Sequence, residues 1–533
     1  MKIKNIHAAV DKGDRLALKC GAKTRTFCEF EDRTDRLASA LIARGLQSGQ
    51  RLASICRNSI ELVEAAIAAE KAGLRFTIIN PVAGRHDLEA ELLCCAPHAL
   101  IINMPVSDEV MTLLAPFETK LHVQAVPGFL SYEDVLADAP AGSLPERVAG
   151  LAMPLTSGTT GRPKAVFRKH PYVPPYLRQL LAVTAFVPET DLAFAPGGVQ
   201  ASGVLNLAVR LPLRAGVGVL ISDLTVTMEA DAEDVLRTIE RERVTHLYLP
   251  NYLMRQLMQL PEQVRQSYDV RSLRCVLHGG SPSPRQIKRA LIAWLGPIVT
   301  EFYAGAEGGG TLITSAEWLQ HEGSVGRPQP GLVCILNEDG VACEPGEHGL
   351  IYFRLARYQR FTYLNNPAAT EAVHRCDFFT LGDRGYLDDE GYLYLAGRTA
   401  EVIDFSGNNV MPAEVDEVLL AHPAVAACAA CGIPDAKFGE IVGAVIVLRP
   451  GFAPTVAQAE EIWRWCRSRL TISKCPRQLV FSDDLPGFGQ GKINRRSLVP
   501  LFATGAMTWT YQEAASDSTA APSPGEELTD APG

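Results

Sequence analysis

Residues 155–164 read Leu155-Thr156-Ser157-Gly158-Thr159-Thr160-Gly161-Arg162-Pro163-Lys164, and this stretch decides how the rest of the chain is read. It follows an apolar segment and concentrates hydroxyls, glycines and one lysine. Glycines let the backbone bend so that consecutive N–H groups converge on phosphate oxygens; Thr156, Ser157, Thr159 and Thr160 add hydroxyl donors, and Lys164 adds a full positive charge. The order is not that of a Walker A loop, which ends Gly-Lys-Ser/Thr. Here Pro163 precedes the lysine and Ala165 follows it, so the hydroxyl that opens the helix and holds magnesium is missing. The alternative is a flexible surface linker, but such linkers rarely follow a strand and finish Gly-x-Pro-Lys.

Working outward, the first 150 residues alternate helical stretches (35–44, 59–72) with short apolar runs (51–55, 99–102), the rhythm of a doubly wound parallel sheet. The rhythm returns after the loop, with a helix over 230–243 and strands over 244–250 and 273–277. Beyond residue 323 short strands take over (333–336, 349–354), with a hairpin turn at Asp388-Asp389-Glu390-Gly391, giving a small β-rich subdomain. A fresh unit opens near residue 399, with strands over 424–432 and 441–448 and a helix over 458–470. The fold class expected is therefore α/β: a large N-terminal domain (1–397) of two doubly wound βαβ subdomains plus the β-rich one, then a small mobile α+β domain (398–505). Residues 512–533 hold five acidic residues and no Lys or Arg, so 506–533 is expected to be a disordered acidic tail.

A net charge of −9 argues against a broad nucleic-acid surface, while leaving room for one basic pocket. No apolar run approaches the ~18 residues needed to span a bilayer, and Met1 to Asn5 lead into no apolar core, so the cytoplasm is the default. The thirteen cysteines lack zinc-ligand spacing and read as buried strand thiols, Cys428 and Cys431 included.

Four further segments carry chemistry. Thr300-Glu301-Phe302-Tyr303-Ala304-Gly305-Ala306-Glu307-Gly308 sets an aromatic four residues before a carboxylate: the ring can stack on adenine and the carboxylate can hold magnesium. Alone, it could be only a tight helix start. Leu381-Gly382-Asp383-Arg384-Gly385-Tyr386, followed by Gly391 to Arg398, offers a strand pair with a carboxylate at one end and an arginine at the other; Asp383 could grip two ribose hydroxyls or serve only as a turn carboxylate. Ser406-Gly407-Asn408-Asn409 and Gly489-Gln490-Gly491-Lys492 complete the set.

Together with residues 155–164, these segments resemble, in order and separation, the adenylate-forming (AMP-binding) superfamily, acyl-CoA synthetase/ligase branch. The resemblance covers about residues 10–502. It implies Mg-ATP as cofactor and two half-reactions: a carboxylate attacks the α-phosphorus to give an acyl-adenylate and pyrophosphate, then the thiol of CoA captures the acyl group. Under it, Thr156, Ser157, Gly158, Thr159, Thr160, Gly161 and Lys164 bind the phosphates. Gly279, Gly280 and Ser281 form the adenine turn, with Tyr303 and Ala304 beside it. Asp383 holds the ribose, Arg398 closes over the nucleotide, Glu307 binds Mg2+, and Lys492 is the catalytic cation between the carboxylate and the α-phosphate. Ser406 and Gly407 border the pantetheine arm, and Ala400 is the hinge. Gly198, Val199, Gln200 and Gly203 would shape the acyl pocket.

Three positions depart from the pattern: Ala304 stands for a glycine, Ala306 for a threonine hydroxyl worth about 1 kcal/mol, and Ala400 for an Asp or Lys. No aspartate occurs in 194–203 to pair with an α-ammonium group, so a carboxylic acid without that amine is expected, bulky or long because Gly197 and Gly198 remove bulk. The resemblance further implies a place in fatty acid metabolism and a monomer or homodimer. Two alternatives stay open: loading of a carrier protein's phosphopantetheine, and a nucleotide-binding protein that has lost catalysis.

Overall fold

The computed structural model describes residues 13–510 apart from 82, 84, 140–143, 145–146, 158–162, 224–229, 282, 399–400, 406–407, 436–438, 486–494 and 505–507. The chain divides at residues 400/401 into two compact units.

In the first unit, strands Arg75–Ile78, Arg51–Cys56, Ala99–Asn103, Thr119–His122 and Leu130–Ser131 form an all-parallel five-stranded sheet in that spatial order. Burial along Arg51–Cys56 and Ala99–Asn103 is nearly continuous rather than alternating, as parallel strands covered on both faces require. Helix Phe27–Ala43 starts eight residues before the expected position. Thr26 caps it and Glu29 reaches back to the Thr26 N–H, a capping box that fixes the first turn. Helix Ile60–Lys71 is so deeply placed that Glu61 and Glu64 are buried on it. Glu64 is neutralised by Arg33 (2.6 Å) and accepts the Tyr132 hydroxyl at 2.8 Å; Glu61 accepts from Lys23 at 2.8 Å.

The second sheet has eight strands, ordered Gly308–Thr314, Val299–Gly305, Cys275–Gly279, His246–Tyr248, Leu192–Ala195, Gly218–Ile221, Leu16–Cys20 and Lys23–Thr26. Its middle is parallel and each edge is an antiparallel hairpin. The first 150 residues therefore do not build one sheet alone: Leu16–Cys20 crosses to pair with Gly218–Ile221. Past residue 323 the chain turns to an antiparallel sheet, with Phe378–Leu387 between Gly349–Arg354 and Leu393–Arg398, the last pair joined through the expected turn at 388–391.

In the second unit, the long hairpin Val425–Asp435/Gly439–Leu448 is extended by Gln478–Phe481, parallel, and Thr508–Thr510, antiparallel. Trp509 packs its ring 6.0 Å from that of Trp463. Residues 508–510, expected to belong to the tail, thus lie on a sheet edge with a tryptophan ring to cover; residues 511–533 lie outside the described residues. Cys428 and Cys431 are buried in the first strand of this hairpin, where burial pushes the Cys431 thiol up to about 12. Buried strand thiols do not describe every cysteine, however: Cys28 and Cys376 are exposed, and Cys466 sits on a helix.

Candidate active site

The phosphate loop is the tip of a hairpin. Leu155–Ser157 and Pro163–Arg168 pair antiparallel, with Ser157 opposite Pro163, and Phe361–Tyr363 adds a third strand. A strand, not a helix, follows residues 158–162, so no helix N-terminus stands directly after them. Gly158, Thr159, Thr160 and Gly161 lie outside the described residues, as does the Ser157 side chain. Thr156 is half-buried opposite Lys164, and the Lys164 ammonium stands 5.0 Å from the centre of the Tyr363 ring.

In the eight-stranded sheet, Leu192–Ala195, His246–Tyr248, Cys275–Gly279 and Val299–Gly305 are successive parallel neighbours, so their carboxyl ends open along one edge. Sheets of this kind place ligands there. That edge carries 196–200, 249–251, 279–281 and 303–307. Gly279 has φ +159° and its α-carbon sits so close to the Phe302 carbonyl that a Cβ would stand 2.3 Å from it; no other residue fits. Below this turn, His278 is fully buried, with Nδ1 3.3 Å from Asn251 Oδ1, while Asn251 Nδ2 donates to the Ser281 carbonyl (2.5 Å) and hydroxyl (3.1 Å). Burial first, then the nearby Lys288, hold the imidazole well below its ordinary value, so it is neutral. Lys288 itself is paired with Glu301 at 2.5 Å.

Residues 300–308 are not a helix start. Strands Val299–Gly305 and Gly308–Thr314 meet at a two-residue turn, Ala306-Glu307. Ala306 is exposed there and Glu307 buried. The Tyr303 hydroxyl donates to Asp383 Oδ2 at 2.5 Å, joining an edge of one sheet to the antiparallel sheet, where Asp383 stands opposite Arg398 in register. The Arg398 side chain is outside the described residues. Ala304 packs against the core and lies 3.0 Å from where a Gly310 Cβ would be.

Glu307 is held at two points that the sequence did not disclose. Its Oε1 accepts the Tyr363 hydroxyl at 2.7 Å, and its carbonyl accepts from Arg168, which also donates to the Gln359 carbonyl at 2.7 Å. Arg168 lies between the Tyr172 and Phe361 rings, 4.5 and 5.2 Å from their centres, and burial pulls its guanidinium down to about 10. Toward a divalent cation Glu307 offers one carboxylate oxygen that no hydrogen bond among the described residues reaches, and among those residues no group of three or more His, Cys, Asp or Glu is placed to hold a metal ion.

The loop 196–200 is clamped by Asn58, whose Nδ2 donates to the Gly197 and Ser222 carbonyls (both 3.0 Å) and whose Oδ1 accepts the Val199 N–H at 2.9 Å. Of the four expected pocket residues, Val199 is packed in the core and Gly203 faces open space. Gln200 folds its amide over Gly198, where a Cβ would stand 2.5 Å from Nε2. Nearby, the rings of Tyr248 and Tyr176 flank Phe302 at 6.2 and 6.4 Å.

Ala400, Ser406, Gly407 and Lys492 lie outside the described residues. In the second unit Arg495, three residues after Lys492 in sequence, is anchored on Asp416 (2.7 Å), Glu401 (3.3 Å) and the Ala430 carbonyl (2.6 Å).

Residues 6–357 match the family model of the AMP-binding enzyme, and residues 414–492 that of the AMP-binding enzyme C-terminal domain. The chain belongs to the AMP-binding enzyme family. It falls in the acyl-CoA ligase branch, whose members are AMP-forming acid–CoA ligases. It is 31% identical to a feruloyl-CoA synthase of an Amycolatopsis species, over 90% of this chain and 94% of that protein. Among solved structures it is similar to the o-succinylbenzoate CoA synthetase (MenE) of Bacillus subtilis in complex with the acyl-adenylate intermediate OSB-AMP (TM-score 0.74, 25% identity, 91% and 95% of the two chains). It is similar also to ATP-bound MatB from Rhodopseudomonas palustris (TM-score 0.78, 26% identity, 93% and 97%). No helix among the described residues is long and apolar enough to cross a membrane.

Proposed function

We propose that the acid this ligase activates is an aryl-substituted carboxylic acid, joined to CoA through its acyl-adenylate. The observation that carries the reading is the 31% identity to a feruloyl-CoA synthase over 90% of this chain; the space expected at Gly197 and Gly198 is instead taken by Pro250 and the Gln200 amide, so this loop does not itself widen the pocket. The absence of an aspartate in 194–203 leaves an amino acid's α-ammonium without a counter-charge, and the likeness to a feruloyl-CoA synthase supports the same class.

The chemistry assigns each group a task. Lys164 and the hairpin tip bind the phosphates. Tyr303 and Gly279 to Ser281 bracket the adenine. Asp383 accepts both ribose hydroxyls; each carboxylate oxygen has two lone pairs, so the Tyr303 contact leaves capacity for them. Glu307 would hold Mg2+, which neutralises charge on the phosphates when bound. Lys492 draws the substrate carboxylate to the α-phosphate and offsets the charge of the pentavalent transition state. Gly407 lets the pantetheine arm pass, and Ala400 is the hinge between the two half-reactions.

The test is pyrophosphate release from Mg-ATP across short, long-chain, aromatic and polycyclic acids, each with and without CoA. Release stimulated by cinnamic or benzoic acids together with CoA is the expected result. Turnover confined to acetate and propionate would overturn the aryl assignment; acid-dependent release indifferent to CoA would move the acceptor to a carrier protein.

A further inference from the structure

We propose that Tyr363 is a positioning residue of the nucleotide site, setting the Glu307 carboxylate and the Lys164 ammonium in one arrangement; the inference rests on the roles given above to those two residues. Glu307 comes from a hairpin tip of the eight-stranded sheet, Lys164 from the phosphate hairpin, and Tyr363 from the strand that pairs with the latter, opposite Val166. The Tyr363 hydroxyl donates to Glu307 Oε1 at 2.7 Å, while the face of the same ring receives the Lys164 cation at 5.0 Å. With only 4% of its surface exposed, the ring is fixed by packing, so it can hold both partners without moving itself.

The two contacts do different work. The hydroxyl engages one carboxylate oxygen and so selects which oxygen is turned toward the phosphates. The ring keeps a long, flexible lysine extended along one direction by cation–π attraction. A phenol is protonated at neutral pH, so the hydroxyl is the donor in this contact. The backbone of Glu307 does not depend on this contact: Arg168 holds its carbonyl, and the Tyr172 hydroxyl accepts the Gly309 N–H at 2.7 Å. Removing the Tyr363 hydroxyl should therefore free the carboxylate while leaving the hairpin in place.

The experiment is binding of a fluorescent ATP analogue, without acid, titrated with Mg2+ in the wild type, Tyr363→Phe, Tyr363→Leu and Glu307→Gln, with thermal unfolding of each. In Tyr363→Phe, the Mg2+ concentration for half-maximal binding should rise ~10-fold or more, consistent with one lost hydrogen bond to a charged group. Metal-free nucleotide affinity and Tm should match wild type. Tyr363→Leu should in addition weaken metal-free binding, because Lys164 loses its platform. Glu307→Gln should abolish most of the Mg2+ dependence. Wild-type Mg2+ dependence in Tyr363→Phe alongside a shifted Glu307→Gln would overturn the inference and leave the role of Glu307 standing; no shift in either variant would overturn the role of Glu307 itself. Equal weakening with and without Mg2+ in Tyr363→Phe would reduce the residue to a structural one.

Discussion

Lys492→Ala is expected to remove adenylation and spare thioester formation. The ammonium acts where negative charge grows on the α-phosphate, and loss of one such preorganised group typically costs ~10²–10³ in rate. The thiol attacks a carbonyl after pyrophosphate has gone, a step in which that cation has no assigned part. Two assays separate the outcomes: acid-dependent pyrophosphate release, and conversion of supplied acyl-adenylate to acyl-CoA. Retention of the second alongside collapse of the first is the expected pattern. Equal loss in both would mean that Lys492 serves the fold or both half-reactions, and the division of labour would be wrong.

Asp383→Ala is expected to produce the second largest loss, expressed almost wholly in the use of ATP. Two hydrogen bonds from ribose hydroxyls to a buried carboxylate, each worth about 1.5–3 kcal/mol, correspond to a fall in kcat/KM for ATP of ~10²-fold or more. The same substitution removes the Asp383 partner of the Tyr303 hydroxyl, now at 2.5 Å, and so perturbs the proposed adenine platform as well. KM for the acid should change little. Steady-state kinetics with ATP varied at saturating acid, and the reverse, distinguish these terms; an unaltered ATP dependence in a folded variant would remove the ribose assignment.

The parts legible in the sequence were those with a short-range signature. The phosphate hairpin declares itself because hydroxyls, glycines and a lysine must be contiguous there, and Asp388 to Gly391 reads as a turn because its residues demand one. Asp383 and Tyr303 each sat in a recognisable segment, although only the fold brings them into hydrogen-bond contact. Tyr363, Arg168 and Asn58 gave no such signal. Phe361-Thr362-Tyr363 is an ordinary alternating strand, and what distinguishes Tyr363 is a carboxylate contributed by a different sheet. Asn58 works through backbone groups of residues far downstream, which no local pattern encodes. The early start of the first helix was legible and missed, since Thr26-Phe27-Cys28-Glu29 is a capping-box sequence. The exposed Cys28 and Cys376 show the opposite limit: residue type alone does not fix burial.

The third strand beside the phosphate hairpin carries a consequence for biosynthesis. Pro163–Arg168 is completed only by Phe361–Tyr363, and Leu16–Cys20, hairpinned with Lys23–Thr26, gains its second neighbour only at Gly218–Ile221. Such distant pairings delay closure, because loop entropy must be overcome before the contacts form. A ribosome that has released only the first half of this chain holds a nucleotide loop lacking one flank, with sheet edges waiting for partners not yet translated. The capacity to grip ATP thus arises late in synthesis, and until then those unpaired edges stay open to mispairing.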